Sequence, residues 1–149
     1  MDIGHITFQH EINIKDYNEL RGSVDFIRIT PKRAECALAN SLYKIVAVDG
    51  EIPVGMARVV GDGGYVYFIC DVIVHPDYQS RGLGRKIIEQ VLDWLESQVE
   101  EGETIMVNLM SAMNKESFYK KLGFHQRPFG NHGSGMSKWI SRQEEKGDG

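Results

Sequence analysis

The stretch D-V-I-V-H-P-D-Y-Q-S-R-G-L-G-R-K-I-I, Asp71 to Ile88, decides the fold. An apolar strand runs into a turn marked by Pro76, and two glycines spaced Q-x-x-G-x-G then open an amphipathic helix. A helix N-terminus presents backbone N–H groups without intrahelical partners and about half a positive charge from the aligned peptide dipoles, so a pyrophosphate is a fitting guest. Gly82 and Gly84 carry no Cβ to hold phosphate oxygens off the backbone. The bland alternative is a tight strand-to-helix turn. The charges favour the cradle. Arg81, Arg85 and Lys86 crowd a helix end where each cation is disfavoured by about 0.3 kcal/mol or more, which makes sense when a bound polyanion compensates them; a solvated basic turn is the other reading. A Walker A loop would place Ser or Thr after Lys86, and a dinucleotide fingerprint would place a third glycine at Ile87, so neither fits.

The remaining chain is built around this loop. Ile6 to His10 is a short strand, and Ile14 to Val24 a helix. Thr30-Pro31 starts a second helix, with Thr as N-cap and Pro at the first position. Leu42 to Val48 and Ile52 to Val60 are strands joined by the hairpin signal Asp49-Gly50, and Tyr65 to Val74 follows a Gly-rich turn, giving an antiparallel meander. The loop helix shows Leu83, Ile87, Ile88, Val91, Leu92 and Leu95 on one stripe. Thr104 to Leu109 is near-continuously apolar, which predicts a central strand. Asn114 to Leu122 reads as a short helix stopped by Gly123, and Phe124 to Gln126 with Gly135 to Ile140 as a final strand pair.

With 149 residues the chain is long enough to bury about two-thirds of its unfolded surface, and a single domain over 1–140 with a disordered polar tail at 141–149 is expected. Two cysteines without C-x-x-C spacing fit a reducing compartment. The first residues show no basic-then-apolar leader, and the longest apolar run, Tyr65 to Cys70, is too short to span a bilayer. A cytoplasmic protein without membrane partners is the expectation. A net charge of −4 argues against a nucleic-acid partner. The five histidines lack ligand spacing with Cys or carboxylates, so no metal is expected.

The loop Gln79 to Gly84, with its strand and helix, resembles the acyl-CoA-binding motif of the GNAT superfamily of N-acetyltransferases. N-K-E-S-F-Y-K-K-L-G-F, Asn114 to Phe124, is similar to the superfamily's second signature, N-x-x-x-x-F-Y-x-K-x-G-F, with one residue fewer between Asn114 and Phe118. The two stand in the same order and at the same separation, and the resemblance runs to Ile140. Within the superfamily the chain looks most like the compact small-amine branch that includes aralkylamine N-acetyltransferases. The resemblance implies an α+β layered fold: a mixed sheet of about six to seven strands, splayed at an acetyl-CoA site and flanked by about four helices. It further implies that the pantetheine arm lies along the backbone of Val72, Ile73 and Val74. The pyrophosphate would rest on Gln79, Ser80, Arg81, Gly82, Leu83 and Gly84, next to Arg85.

Acetyl transfer needs an unprotonated amine, stabilisation of an oxyanion and a proton for the departing thiolate. By resemblance Tyr119 is the proton donor, and a phenol holds its proton at neutral pH; the plain alternative is a packed aromatic. Asn114 either caps the helix that carries Tyr119 or bonds the pantetheine arm. Asp71, alone in an apolar strand, either serves the acceptor amine as base or ammonium site, or is a structural carboxylate with a partner. His75 is a further base candidate or a cap at the strand end. The oxyanion role of a strand N–H near Ile73 is inherited from the resemblance. Cys70 sits in an apolar run and reads as a small hydrophobe, so direct transfer in a ternary complex is expected. The expected acceptor is a small-molecule primary amine; a protein N-terminus or lysine, and an idle CoA sensor, are the alternatives. A homodimer through the C-terminal strands, with Trp139 at the interface or in the core, completes the expectations.

Overall fold

The computed structural model describes residues 3–144. Internal contacts gather the chain into two units, Met1–Met110 and Ser111–Gly149. The first holds β1 (Thr7–Gln9), α1 (Ile14–Ser23), α2 (Pro31–Ala39), β2 (Tyr43–Asp49), β3 (Ile52–Gly61), β4 (Val66–Val74), a 3-10 turn (Pro76–Tyr78), α3 (Leu83–Ser97) and β5 (Met106–Leu109). The second holds α4 (Glu116–Lys120).

Local chemistry sets the helix starts. The Asn13 side chain accepts from Asp16 N–H at 2.8 Å at the head of α1, and Thr30 accepts from Arg33 N–H at 3.2 Å with Pro31 behind it at the head of α2. Gly50, at φ 64°, turns β2 into β3. The sheet runs β1-β2-β3-β4-β5, antiparallel through β4, with β5 parallel to β4. The long connection through α3 is what a parallel pairing requires.

Two apolar layers cover the sheet. Tyr17, Leu20, Ala34 and Leu38 of α1 and α2 cluster with Val46, Val48, Met56 and Ile73. Gly55, next to Met56 and so on the opposite face, lies under α3: a Cβ there would sit 2.9 Å from Ile87 Cδ1 and 3.1 Å from Ile73 O. The stripe Leu83, Ile87, Ile88, Val91 and Leu95 is buried, as its spacing predicts.

The register of β3 against β4 contains a bulge. Met56 pairs with Ile73 and Arg58 with Cys70, so Ala57 alone opposes Asp71 and Val72. Asp71 sits at φ 50°, a left-handed conformation that disfavours most side chains by about 1–2 kcal/mol.

Three expectations need correction. Among the described residues the sheet has five strands, not six or seven: 124–126 and 133–144 form no strand, and a lone bridge, Phe129 to His132, is all the regular pairing between 124 and 144. Pro128 lacks a donor and Gly130, Gly133 and Gly135 weaken strand formation, so the alternation around Trp139 had no ladder to join. β5 lies at the sheet edge rather than its centre, and all four of its residues are half-buried. An apolar run reports burial by helices and neighbours together, not position in the sheet. Helix α4 is five residues long because Asn114, at φ 67°, turns the chain before it can start. It stops as expected: Gly123, at φ 95°, donates to Lys120 O at 3.1 Å and Phe124 N–H to Tyr119 O at 3.2 Å. Of the tail, Ser141 to Glu144 is exposed and irregular, and 145–149 lie outside the described residues.

Candidate active site

The loop Gln79 to Gly82 hangs between β4 and α3. Tyr78 N–H donates to His75 O at 2.8 Å and Gln79 N–H to Pro76 O at 3.3 Å, closing the 3-10 turn. The Gln79 side chain returns to the strand, donating from Nε2 to Val74 O at 2.9 Å. Ser80 at φ 64° and Gly82 at φ 83° then place two left-handed residues around Arg81. Such alternation curls successive N–H groups towards a common centre, an arrangement that suits anions. Gly82 is the N-cap of α3 and supplies no side-chain bond; the first helical bond runs from Lys86 N–H to Gly82 O at 3.2 Å. The N–H groups of Leu83, Gly84 and Arg85 therefore precede the ladder and have no carbonyl of their own among the described residues. No acidic side chain sits in the first turn. The residues fit a pyrophosphate.

The neighbouring strand offers the second half of the cradle. β4 pairs with β5 from Val66 to Ile69, and β5 ends at Leu109. From Cys70 to Val74, β4 pairs with β3 alone among the described residues; apart from Val74 O, which Gln79 occupies, the other side of Val72, Ile73 and Val74 is free to receive an extended ligand. The two strands thus part beyond Ile69 and Leu109, on the stretch where the resemblance implies a splayed sheet, and the bulge at Asp71 and Val72 lies there.

Asp71 is held by three donors. Tyr17 OH and Arg58 Nε (2.6 Å) donate to its Oδ2, and Arg21 Nη1 (2.6 Å) to its Oδ1. The side chains are 6%, 14% and 13% exposed for Asp71, Arg21 and Arg58, so the cluster is nearly dry, and its one carboxylate is shared by two guanidinium groups, with Arg21 Nε buried and without a hydrogen-bond partner among the described residues. Burial and the bond to Asp71 push the Tyr17 phenol up to about 12. Burial acts against the Arg58 charge, yet the bond to Asp71 holds its guanidinium above its ordinary value. This geometry matches the structural reading of Asp71. Arg21 also donates through Nη2 to Ile27 O at 2.7 Å, tying the bulge to the segment between α1 and α2.

That segment walls a pocket of about 740 Å³, lined among others by Lys15, Glu19, Arg21, Phe26, Ile27 and Ile29. Glu19 is its one carboxylate.

His75 accepts from Asp77 N–H at 3.1 Å through Nδ1 and donates its backbone N–H to Val54 O at 2.8 Å, so it caps the strand end. Burial pushes the Cys70 thiol up to about 11, which keeps it protonated and packed. In the second unit, Tyr119 is buried on α4 in edge contact with Phe118 at 5.0 Å and Phe124 at 6.0 Å, and burial raises its phenol. Asn114 is exposed and makes no cap; the N-cap of α4 is Lys115, without a side-chain bond.

Sequence reasoning missed Tyr17, Arg21 and Arg58. A signal existed: Arg58 interrupts apolar β3 as Asp71 interrupts β4, and opposite charges inside adjacent buried strands predict each other.

Comparison with known proteins agrees with this geometry. Residues 7–124 match the acetyltransferase (GNAT) family. The uncharacterized N-acetyltransferase ycf52 of Pyropia yezoensis is 32% identical over 130 residues, 85% of this chain and 72% of that protein. Serotonin N-acetyltransferase 2, chloroplastic, of Oryza sativa subsp. japonica is 29% identical over 137 residues, 89% of this chain and 66% of that protein. In three dimensions the crystal structure of SA2161 from Staphylococcus aureus, a protein of unknown function described as a probable acetyltransferase, superposes with a TM-score of 0.82 at 27% identity, covering 91% of this chain and 99% of that one. The family match, these relatives and a fold whose sheet opens beyond Ile69 lead to one conclusion: the chain belongs to the GNAT family and is an N-acetyltransferase.

Proposed function

We propose that the enzyme acetylates the primary amine of a small molecule. The observation that carries this reading is the pocket beside α1: about 740 Å³ lies within the range of small-molecule sites, and its lining joins apolar Phe26, Ile27 and Ile29 to one exposed carboxylate, Glu19, and three cations, Lys15, Arg21 and Arg28. An amine with an apolar body would set its ammonium near Glu19 and its body against those walls. The similarity to a rice protein named for serotonin acetylation supports the same class.

The family uses acetyl-CoA, which supplies the acetyl group as an activated thioester. The N–H groups of Leu83, Gly84 and Arg85 would hold the pyrophosphate, and the open backbone of Val72 to Val74 the pantetheine arm. The backbone N–H near Ile73 would meet developing charge on the acetyl oxygen, and the bulge that presents it is held by Asp71 through Arg21, Arg58 and Tyr17. Asp71 is thereby a positioning residue. By the family resemblance Tyr119 is the donor of the proton that the departing sulfur takes up, and burial raises its phenol, so it keeps that proton at neutral pH.

Release of thiol from acetyl-CoA, followed over a panel of arylalkylamines, polyamines, amino sugars and lysine-bearing peptides, tests this. Turnover of a small amine with saturation is expected. Preference for peptides would move the acceptor to proteins, and CoA binding without turnover would leave a sensor.

A further inference from the structure

Of the three cations on the loop, Arg85 is tied to Glu89 at 2.8 Å, while Arg81 has no carboxylate partner among the described residues. Arg81 is held another way. Its guanidinium carbon lies over the Tyr78 ring, 5.3 Å from the centroid. Tyr78 is in turn fixed from both ends: its hydroxyl donates to Asp49 Oδ2, at the end of β2, and its ring meets His75 edge-on at 6.3 Å. On the far side of Asp49, His5 Nε2 lies 3.5 Å from Oδ1. The hydroxyl bond holds the Asp49 carboxyl below its ordinary range and the Tyr78 phenol above its own.

We propose that Tyr78 is a positioning residue for the cofactor loop, a ring hooked to Asp49 on whose face Arg81 is held with its donors free for a phosphate. The loop needs such a handle. Arg81 stands between two left-handed residues, Ser80 and Gly82, and a Cβ at Gly82 would touch nothing within 4 Å, so packing alone does not fix the backbone there. A cation resting on an aromatic face keeps its N–H edge outward and is not neutralised, unlike one paired with a carboxylate. The loop is thereby tied to the β2–β3 hairpin, 29 residues earlier in the chain. The proposal rests on the reading of the loop as a pyrophosphate site.

Two measurements test it, one of them without ligand. In the free protein the Arg81 Nε–Hε resonance should be shifted upfield by the Tyr78 ring current and should return to its ordinary position in Tyr78→Leu; an unshifted wild-type resonance would overturn the clamp. CoA titrated by calorimetry should bind Tyr78→Leu about threefold to fivefold more weakly, the effect of losing one exposed cation–ring contact. That loss should vanish in an Arg81→Met background, because the ring acts only through Arg81. Tyr78→Phe and Asp49→Ala, which keep the ring and release the hook, should show a smaller loss, and Asp49→Asn, which still accepts the hydroxyl, should bind as wild type. KM for acetyl-CoA should rise with kcat unchanged. Independent, multiplying losses from Tyr78→Leu and Arg81→Met, or a CoA affinity untouched by Tyr78→Leu, Tyr78→Phe and Asp49→Ala, would overturn the proposal. A shifted resonance in a wild-type protein that does not bind CoA would instead remove the pyrophosphate reading.

Discussion

At the scale of single residues, the buried cluster around Asp71 makes the sharpest claims. Removing its charge leaves Arg21 and Arg58 nearly dry and unbalanced, and breaking such a pair typically destabilises by about 3–5 kcal/mol. Asp71→Asn, which keeps an acceptor, should lose about 3 kcal/mol in urea denaturation. Its rate deficit should be the same at every pH; a deficit that shrinks as pH rises would mark Asp71 as the base. Tyr119→Phe should lower kcat about 10²-fold with CoA affinity kept. A proton donor is active only while protonated, and burial raises this phenol, so activity depending on it persists below the raised value and is lost above it. The basic limb should therefore fall above the ordinary tyrosine value of about 10. A limb that begins lower, or an unchanged kcat in the variant, would return Tyr119 to packing. Of the two cysteines, exposed Cys36 should react readily with a disulfide reagent in the native protein, and Cys70, half-buried and held protonated, much more slowly until the chain unfolds.

At the scale of elements, starts and turns were legible because their chemistry is local. Thr30-Pro31, Asp49-Gly50 and Leu-Gly123 announce a cap, a hairpin and a stop within a few residues, and each holds. Thr30→Ala should accordingly cost about 1 kcal/mol by removing the bond to Arg33 N–H. The loop was legible for the same reason, and Gly84→Val should weaken CoA binding at least about tenfold, roughly 1.4 kcal/mol, with the circular dichroism spectrum unchanged. Unaltered binding would reduce the loop to a turn. What stayed hidden depends on partners far along the chain. The position of β5 at an edge, the missing partner for residues 135–140, and the bonds from Tyr17 and Arg21 to Asp71, 54 and 50 residues away, have no local period to betray them. Arg58 is the exception, since its charge inside β3 asks for a mate on a neighbouring strand.

For the molecule as a whole, a ligand that binds the folded chain alone must stabilise it, and CoA at about a hundred times its dissociation constant should add roughly 2.7 kcal/mol. Because the contact is with phosphates, the gain in melting temperature should diminish as salt is added. A flat melting temperature would remove the site. The glycine beneath α3 carries this further. With Ile87 Cδ1 only 2.9 Å from where a Cβ at Gly55 would stand, the helix rests on the strand's backbone with no spacer between them. Leu83, the first residue of that helix, lies 3.6 Å from the same point. The height of the first turn of α3 above the sheet is therefore gauged by the thickness of one missing methyl group, and Gly55→Ala should either turn the Ile87 side chain aside or act as a shim that lifts the helix start, which a change in CoA affinity without loss of fold would report.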